Sequence, residues 1–397
     1  MEKIRFAIIG GGVAGLTAAI GLRKLGHEAI VYERAKELKG IGAGFGLAAN
    51  AMQAFEYLGL REGVEKIGHF LHSYNILDEK GRILVAPDTK EISNNYSQKN
   101  FAIHRGDLHQ FLIHQLPQES IRLGKEATTL EKDANKVRVF FSNGETVEAA
   151  ALIIADGVKS TLRQFLIPAS TPRYAGYTCW RAIIDNSKIN LQSSTETWGA
   201  AGRFGMTPLV GDKIYWYACI NSRPNHITYS KYRIDDLQQH FAHYHAPIPQ
   251  ILAETQDKQL IWNDIVDIKP LTSIAYGRVL LIGDAGHATT PNLGQGACQA
   301  IEDVAVMVDE LTRTEDIVKA FKHINKRRIQ RTRYITNTSW RIGKVAQWES
   351  PYWIKARNIL MQILPERLKQ YQLNKLLHED FMSTNAVHDV FSNHIET

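Results

Sequence analysis

Ile4-Arg5-Phe6-Ala7-Ile8-Ile9-Gly10-Gly11-Gly12-Val13-Ala14-Gly15 opens the chain with an apolar run, a glycine cluster and the first turn of a helical pattern that continues to Leu25. The run Ile4–Ile9 is short and rich in β-branched residues, so it reads as a buried strand. Gly26-His27 breaks the helical pattern, and Glu28–Tyr32 reads as a second strand. The whole is a βαβ unit of about thirty residues. Within it, Gly10 allows the tight turn, Gly12 lets the backbone approach a pyrophosphate, and Gly15 lets the helix pack on the strand. The helix N-terminus adds free N–H groups and a partial positive charge. Glu33 ends the second strand at the spacing where a carboxylate accepts the hydroxyls of an adenosine ribose, and Arg34 follows it.

The rest of the chain divides around this unit. Residues 40–68 read as a glycine-rich loop followed by a helix. Tyr74–Leu77 and Arg82–Val85 read as strands around the turn Asp78–Gly81, and Arg105–Leu116 as a helix. Thr128–Glu131, Lys136–Phe141 and Glu145–Glu148 read as a meander turning at Asn143-Gly144, and Ala151–Ile154 as another buried strand. Between about 172 and 268 alternating aromatic runs predict a mostly antiparallel sheet. Beyond Gly277 the strand Arg278–Ile282 meets a glycine-rich loop and a helix, and from about 315 the chain is helical, interrupted by Pro351 and Pro365.

Composition sets the bounds. The chain has 397 residues, 44% hydrophobic and 22% charged, with a net charge of +6. This excludes disordered, collagen-like and small disulfide-stapled chains, and the excess charge is too dispersed for a nucleic-acid tail. The three cysteines, Cys179, Cys219 and Cys298, are sparse and unpaired in spacing. They predict neither a disulfide framework nor a metal site, and a reducing, cytoplasmic setting. Met1 to Phe6 lacks a signal-peptide layout, and no apolar run approaches a membrane span.

Two further motifs follow strands. Asp156-Gly157-x-x-Ser160-x-x-Arg163 comes after Ala151–Ile154. Taken alone, Asp156 reads as a helix N-cap. Gly283-Asp284-Ala285-Gly286-His287 follows Arg278–Ile282, with Pro291 and Gly294-Gln295-Gly296-Ala297 opening the next helix. His287 reads as structural, whereas the Gly294–Ala297 backbone offers N–H groups to an anion.

These three motifs, in this order, resemble the class A, single-component FAD-dependent aromatic hydroxylases, the group of p-hydroxybenzoate hydroxylase, salicylate hydroxylase, urate hydroxylase and zeaxanthin epoxidase. The resemblance covers nearly the whole chain. It implies an α/β fold: a Rossmann-like, GxGxxG FAD-binding domain (1–70, 96–170 and 270–345), an inserted, mostly antiparallel substrate-binding sheet (71–95 and 171–269) and a C-terminal helical segment (346–397). By resemblance, Gly10, Gly12, Gly15, Glu33 and Arg34 form the ADP fingerprint, Arg105 reaches FAD from its helix, and Asp156-Gly157 serves FAD and the nicotinamide. Asp284 meets the ribityl chain, and Pro291 with Gly294, Gln295, Gly296 and Ala297 faces the isoalloxazine. Gly42 to Asn50 resembles the family's second glycine loop, with Ala49 where proline is common; Ile154 and Gly286 are further departures.

The resemblance implies non-covalent FAD, reduced by transiently bound NADPH or NADH, and oxygen transfer through a flavin C(4a)-hydroperoxide to a small aromatic, heteroaromatic or polycyclic substrate. The absence of a second GxGxxG argues against Baeyer–Villiger chemistry, and that of a Trp-x-Trp-x-Ile-Pro motif against halogenation. A related oxidase or reductase, or a non-catalytic FAD-fold binding protein, are the alternatives. The catalytic set is expected in Pro291, Gly294, Gly296, Arg203 and Tyr217, with no metal. Tyr177, Trp180, Trp198, Phe204, Tyr215 and Tyr217 are expected to line one face of the middle sheet and keep water out. Arg181 and Arg203 are equally readable as anchors for an anionic substrate or as exposed strand residues, and His226 as a base without support. The basic, amphipathic segment Ser350 to Phe381 is expected to pack on the body or form a homodimer surface rather than lie on a membrane.

Overall fold

The computed structural model describes residues 4–38, 44–71, 73–87 and 100–377. The ends of several expected segments therefore lie outside the described residues: 1–3 and 96–99 in the FAD-binding segments, Gly42 in the second glycine loop, 88–95 in the substrate sheet, and 378–397 at the C-terminus.

The opening run forms β1 (Arg5–Ile9), and Glu28–Glu33 forms β2 beside it. Gly44–Leu47 (β3), Gly68–Phe70 (β4), Tyr74–Asp78 (β5), Ile83–Val85 (β6) and Phe101–His104 (β7) follow. Next come Ile121–Leu123 (β8), Ala127–Lys132 (β9), Val137–Phe141 (β10), Thr146–Ala149 (β11) and Ala151–Ile154 (β12). The central strands are Pro172–Asp185 (β13), Ser194–Gly199 (β14), Gly202–Leu209 (β15), Lys213–Asn221 (β16) and Ile261–Ile268 (β17), and Val279–Leu281 (β18) closes the set.

Two sheets organise the molecule. The first is parallel, in the order β18-β12-β1-β2-β8. Its central strands are buried along nearly their whole length, because the helices Val13–Lys24 and Gly296–Arg313 cover them; hence their unbroken apolar sequences. The second, in the order β17-β13-β16-β15-β14-β5-β6, is antiparallel except where β5 joins β14. β18 returns to pair with β12 after the chain has built β13 to β17 elsewhere. β3, β7 and β4 form a small sheet between the two, which the glycine-rich sequence around residue 44 did not suggest.

Alternation along each strand gives the second sheet two different faces. On one, Trp180, Phe204 and Trp216 pack with Leu237 and Phe241 under the helices Ile234–His240 and Ile248–Ala253. The other face, carrying Tyr177, Cys179, Arg203 and Tyr217, turns toward the parallel sheet's loops, where Tyr177 Oη donates to Asn292 Oδ1 at 3.0 Å.

A buried charge cluster ties those loops to the long helix Ile317–Ala346, which Asp316 caps by accepting from the N–H groups of Val318 and Lys319. Asp303 Oδ2 accepts from Gly283 N (2.8 Å) and His287 Nε2 (2.5 Å), and its Oδ1 accepts from Arg328 Nε (2.7 Å). Glu302 accepts from Arg328, Arg331 and Asn50. Burial opposes ionisation of both acids, but His287 and Arg328 at Asp303, and Arg328 and Arg331 at Glu302, outweigh it and hold both pKa values below the ordinary range.

Arg328→Leu leaves two buried carboxylates short of a partner and is expected to cost about 3–5 kcal/mol in denaturant unfolding at pH 7. Groups with depressed folded-state pKa stabilise above their unfolded pKa and lose that contribution as pH falls. The deficit should therefore narrow on acidification below about pH 4; a gap independent of pH would contradict this electrostatic role.

Candidate active site

The three glycines of the fingerprint separate by environment. Gly10 has φ +107°, and a Cβ there would sit 2.4 Å from Ala155 O; one at Gly15 would sit 2.0 Å from Gly10 O. A Cβ at Gly12 would meet nothing within 4 Å. Gly10 and Gly15 are thus required by the fold itself, whereas Gly12 borders open space at the start of a helix that no side chain caps. Glu33 stands beside that space with Oε2 on Gly11 N (2.7 Å) and Oε1 on Ala35 N (2.9 Å), and Arg34 is exposed next to it. His109 Nε2 donates to Gly11 O at 2.7 Å and fixes the loop from the side. Sequence reasoning missed it, although it lies one turn beyond Arg105 on the helix Arg105–His114.

Across the cleft, Asp156 follows β12. It is not a helix cap: Ser160 Oγ accepts from Arg163 N at 3.0 Å and caps Thr161–Leu166, four residues later. Asp156 instead keeps Oδ1 buried without a partner, and burial raises its pKa. Arg163, fully buried, bonds Val158 O (2.7 Å), Ser170 O (3.1 Å) and Ala285 O (3.4 Å), bracing the Asp156 segment against the Asp284 segment. The Asp284 side chain is exposed to the cleft, yet enough protein surrounds it to push its pKa up against the pull of His287, Arg105 and Arg163. Gly294 has φ +62°, and a Cβ at Gly294 or Gly296 meets nothing within 4 Å; Pro291 is exposed beside them. Gln295 faces the cleft through its backbone alone. Its side chain turns inward, Oε1 accepting from Asn50 Nδ2 and Gln299 Nε2 (both 2.9 Å), so only its backbone borders the cleft, with half-buried Ala297. An open cradle at Gly12, an orphaned carboxylate oxygen at Asp156 and an exposed acid at Asp284 fit the pyrophosphate and hydroxyl groups of FAD.

The six aromatics expected on one face divide between two. Trp180 and Phe204 belong to the outer core, because they stand at the opposite parity of β13 and β15 from the residues that face the cleft. Tyr177, Trp198, Tyr215 and Tyr217 remain on the inner face. His226 stacks at 4.4 Å on Tyr229, which packs on Trp180, and so belongs to the outer side. A shallow groove of about 470 Å³ lined by Trp180, Tyr232, Arg233 and Trp262 also lies there, away from the glycine loop.

On the inner face, Arg203 is 2% exposed, which excludes the exposed-strand reading. Its Nη1 meets Glu196 Oε1 at 3.1 Å, its Nε donates to Gln347 Oε1 at 2.9 Å, and its guanidinium lies 5.1 Å from the Tyr177 ring. Nη2 is buried without a partner. The Tyr217 ring crosses Gly205, where a Cβ would be 2.1 Å from Cζ. Tyr74 Oη donates to the Glu196 carboxylate at 2.8 Å. Burial raises the pKa of both phenols, with Glu196 adding to it, so both stay protonated at neutral pH. Arg181, half-exposed, donates to Cys179 Sγ at 3.4 Å and has no carboxylate partner among the described residues.

Residues 3–316 match the FAD binding domain family. The chain belongs to that family. It is a class A FAD-dependent monooxygenase. The chain is 32% identical over 358 residues to an aurachin C monooxygenase/isomerase of Stigmatella aurantiaca, covering 90% of this chain and 93% of that one. It is 30% identical over 363 residues to a 2-heptyl-3-hydroxy-4(1H)-quinolone synthase of Pseudomonas aeruginosa, covering 90% and 94%. Klebsiella pneumoniae HpxO, solved with FAD and uric acid, superposes with a TM-score of 0.87 at 25% identity, covering 94% of this chain and 97% of its own. The monooxygenase's cofactor is FAD.

The open space at Gly12 makes a selective test. Gly12→Val should leave the melting temperature of the apoprotein within about 2 °C, as surface changes do, yet weaken FAD binding at least tenfold. Gly15→Val should lower both. Fluorescence titration with FAD beside thermal melts reads the two effects; full FAD affinity in Gly12→Val would move the site.

Proposed function

We propose that the monooxygenase hydroxylates a neutral, electron-rich heteroaromatic ring of the 4-quinolone class, with NAD(P)H as electron donor. The balance is substrate–H + O2 + NAD(P)H + H+ giving substrate–OH + NAD(P)+ + H2O. The observation that carries this reading is the Arg203–Glu196 pair. On the sheet face that carries Tyr217, the fully buried cation is already neutralised, so among the described residues that face offers hydroxyls and the partly exposed Arg181, a donor for a ring carbonyl, and no fully buried unpaired cation for a carboxylate or urate anion. A relative whose name carries a 4(1H)-quinolone supports the same class.

In this reading Gly10, Gly12, Gly15, Glu33 and Arg34 hold the ADP half of FAD. Arg105, Asp156 and Asp284 hold its middle, and Pro291 with the Gly294–Ala297 backbone borders its ring. Bound FAD, once reduced, supplies the activated oxygen. The N–H groups that open Gly296–Arg313, preorganised by the helix, would stabilise negative charge on the reduced ring. Arg181 donates to the ring carbonyl oxygen of the substrate. The Tyr217 hydroxyl and the Tyr74 hydroxyl, the latter bonded to Glu196, orient its N–H, and Tyr74 with Glu196 provides a route for the proton that leaves as oxygen adds. Tyr177, Trp198 and Tyr215 restrict water.

A 2-alkyl-4-quinolone should accelerate NADH or NADPH oxidation at least tenfold with little peroxide, and urate and salicylate should not. Arg181→Ala should raise KM about tenfold or more, the loss of one charged hydrogen bond, with kcat less affected. Arg203→Ala should lower stability before it alters KM. Stimulation by urate or salicylate alone would overturn the quinolone reading.

A further inference from the structure

Among the described residues, twelve large apolar side chains are exposed, and seven of them lie between Tyr352 and Tyr371. The helix Pro351–Ile363 accounts for five: Tyr352 at 87%, Trp353 at 61%, Ile359 at 48%, Leu360 at 59% and Ile363 at 69%. With exposed Ala356, their spacing of three and four places them on one stripe of the helix. Leu368 and Tyr371 extend the stripe along the helix Glu366–Leu377, and exposed Ile83 on β6 adjoins it, its carbonyl accepting from Gln362 Nε2.

The helix is mounted inside out. Its one buried residue is Arg357, 3% exposed. The guanidinium donates to Val345 O (3.3 Å), Ala346 O (3.2 Å) and Trp198 O (3.3 Å) and lies 5.3 Å from the Trp198 ring. Burial lowers its pKa to about 10, so it stays charged at neutral pH. A helix that turns its cation to the body and its apolar stripe to water is held for something outside the body. The expectation that this segment simply packs on the body thus holds for Arg357 and fails for the stripe.

Charge selects the occupant. From Ser350 to Leu377 the bases other than the inward-turned Arg357 are Lys355, Arg367, Lys369 and Lys375, against the single acid Glu366. A second copy docked through the same face about a twofold axis would bring like charges together. An anionic bilayer surface complements them, and an aliphatic stripe with Trp and Tyr among basic residues is the composition that lies in its interface. The helix is too short to cross a bilayer, and no described helix is long and apolar enough to do so.

We propose that the face formed by Tyr352, Trp353, Ile359, Leu360, Ile363 and the surrounding bases docks the monooxygenase on an anionic phospholipid surface. Trp198, on which Arg357 rests, is the cross-strand neighbour of Arg203, so docking sets the substrate-facing side of the sheet beside a reservoir of apolar molecules. The surface does not depend on the quinolone assignment, because binding is read without turnover.

The FAD-loaded full chain is floated with vesicles of 3:1 phosphatidylcholine to phosphatidylglycerol and, separately, of phosphatidylcholine alone. We expect binding to the anionic vesicles, a blue shift of tryptophan emission as Trp353 leaves water, and weakening at high salt. The triple variant Trp353→Ser, Leu360→Ser, Ile363→Ser should bind at least tenfold more weakly while its melting temperature stays near the parent's, since all three side chains are exposed. Absence of vesicle binding overturns the proposal. A dimer dissociated by the triple variant would then make the face a contact between copies, and a monomer would mean that the chain itself covers it. Equal binding by parent and variant would also overturn it.

Discussion

Two carboxylates withdrawn from water, Glu302 and Asp303, hold the Asp284 side of the cleft in place. Asp303 takes the N–H of Gly283 at the turn before Asp284, while Glu302 and Gln295 share Asn50 from the helix after β3. Arg328 joins both acids to the long helix that also carries Gly343, whose missing side chain leaves room for Asn292. Asn292 then reaches Tyr177 on the second sheet. The positions of the Asp284 turn, the Gly294–Ala297 loop and the inner sheet face follow from this one cluster. An apolar core of equal volume would bury as well, but it would not fix backbone N–H groups at set points.

The two halves of the cleft use different physics. The Gly10–Gly15 turn is set by steric exclusion, since any side chain at Gly10 or Gly15 collides with backbone. The Asp284 side is set by electrostatics. A ligand lying between them meets rigid N–H groups and free space on one side and oriented acids on the other, as a pyrophosphate with polyol and ribose hydroxyls requires.

The βαβ unit was legible because its signals are local: an apolar run, three glycines with distinct steric jobs, and an acid at a strand end. The meander, β18 and the interruptions at Pro351 and Pro365 were legible for the same reason. Facing was less so. Trp180 and Tyr177 lie three residues apart on one strand, so strict alternation already places them on opposite sides, yet grouping them by residue type hid that parity. Arg203 was visible as a cation but not as a neutralised one, because Glu196 belongs to another strand and only the pairing of β14 with β15 brings them together. Asp303–Arg328, His109–Gly11 and Arg357–Trp198 are similarly long-range. A turn forms from neighbours in sequence, whereas a buried pair forms only once the fold exists.

The arrangement serves oxygen insertion and not mere flavin oxidation. Turnover under 18O2, with NAD(P)H and a 2-alkyl-4-quinolone and mass analysis of the product, tests it most directly. Oxygen insertion gives one 18O atom per product molecule and one nicotinamide oxidised for each. Product without label, or oxygen recovered wholly as peroxide while the quinolone returns unchanged, would contradict it.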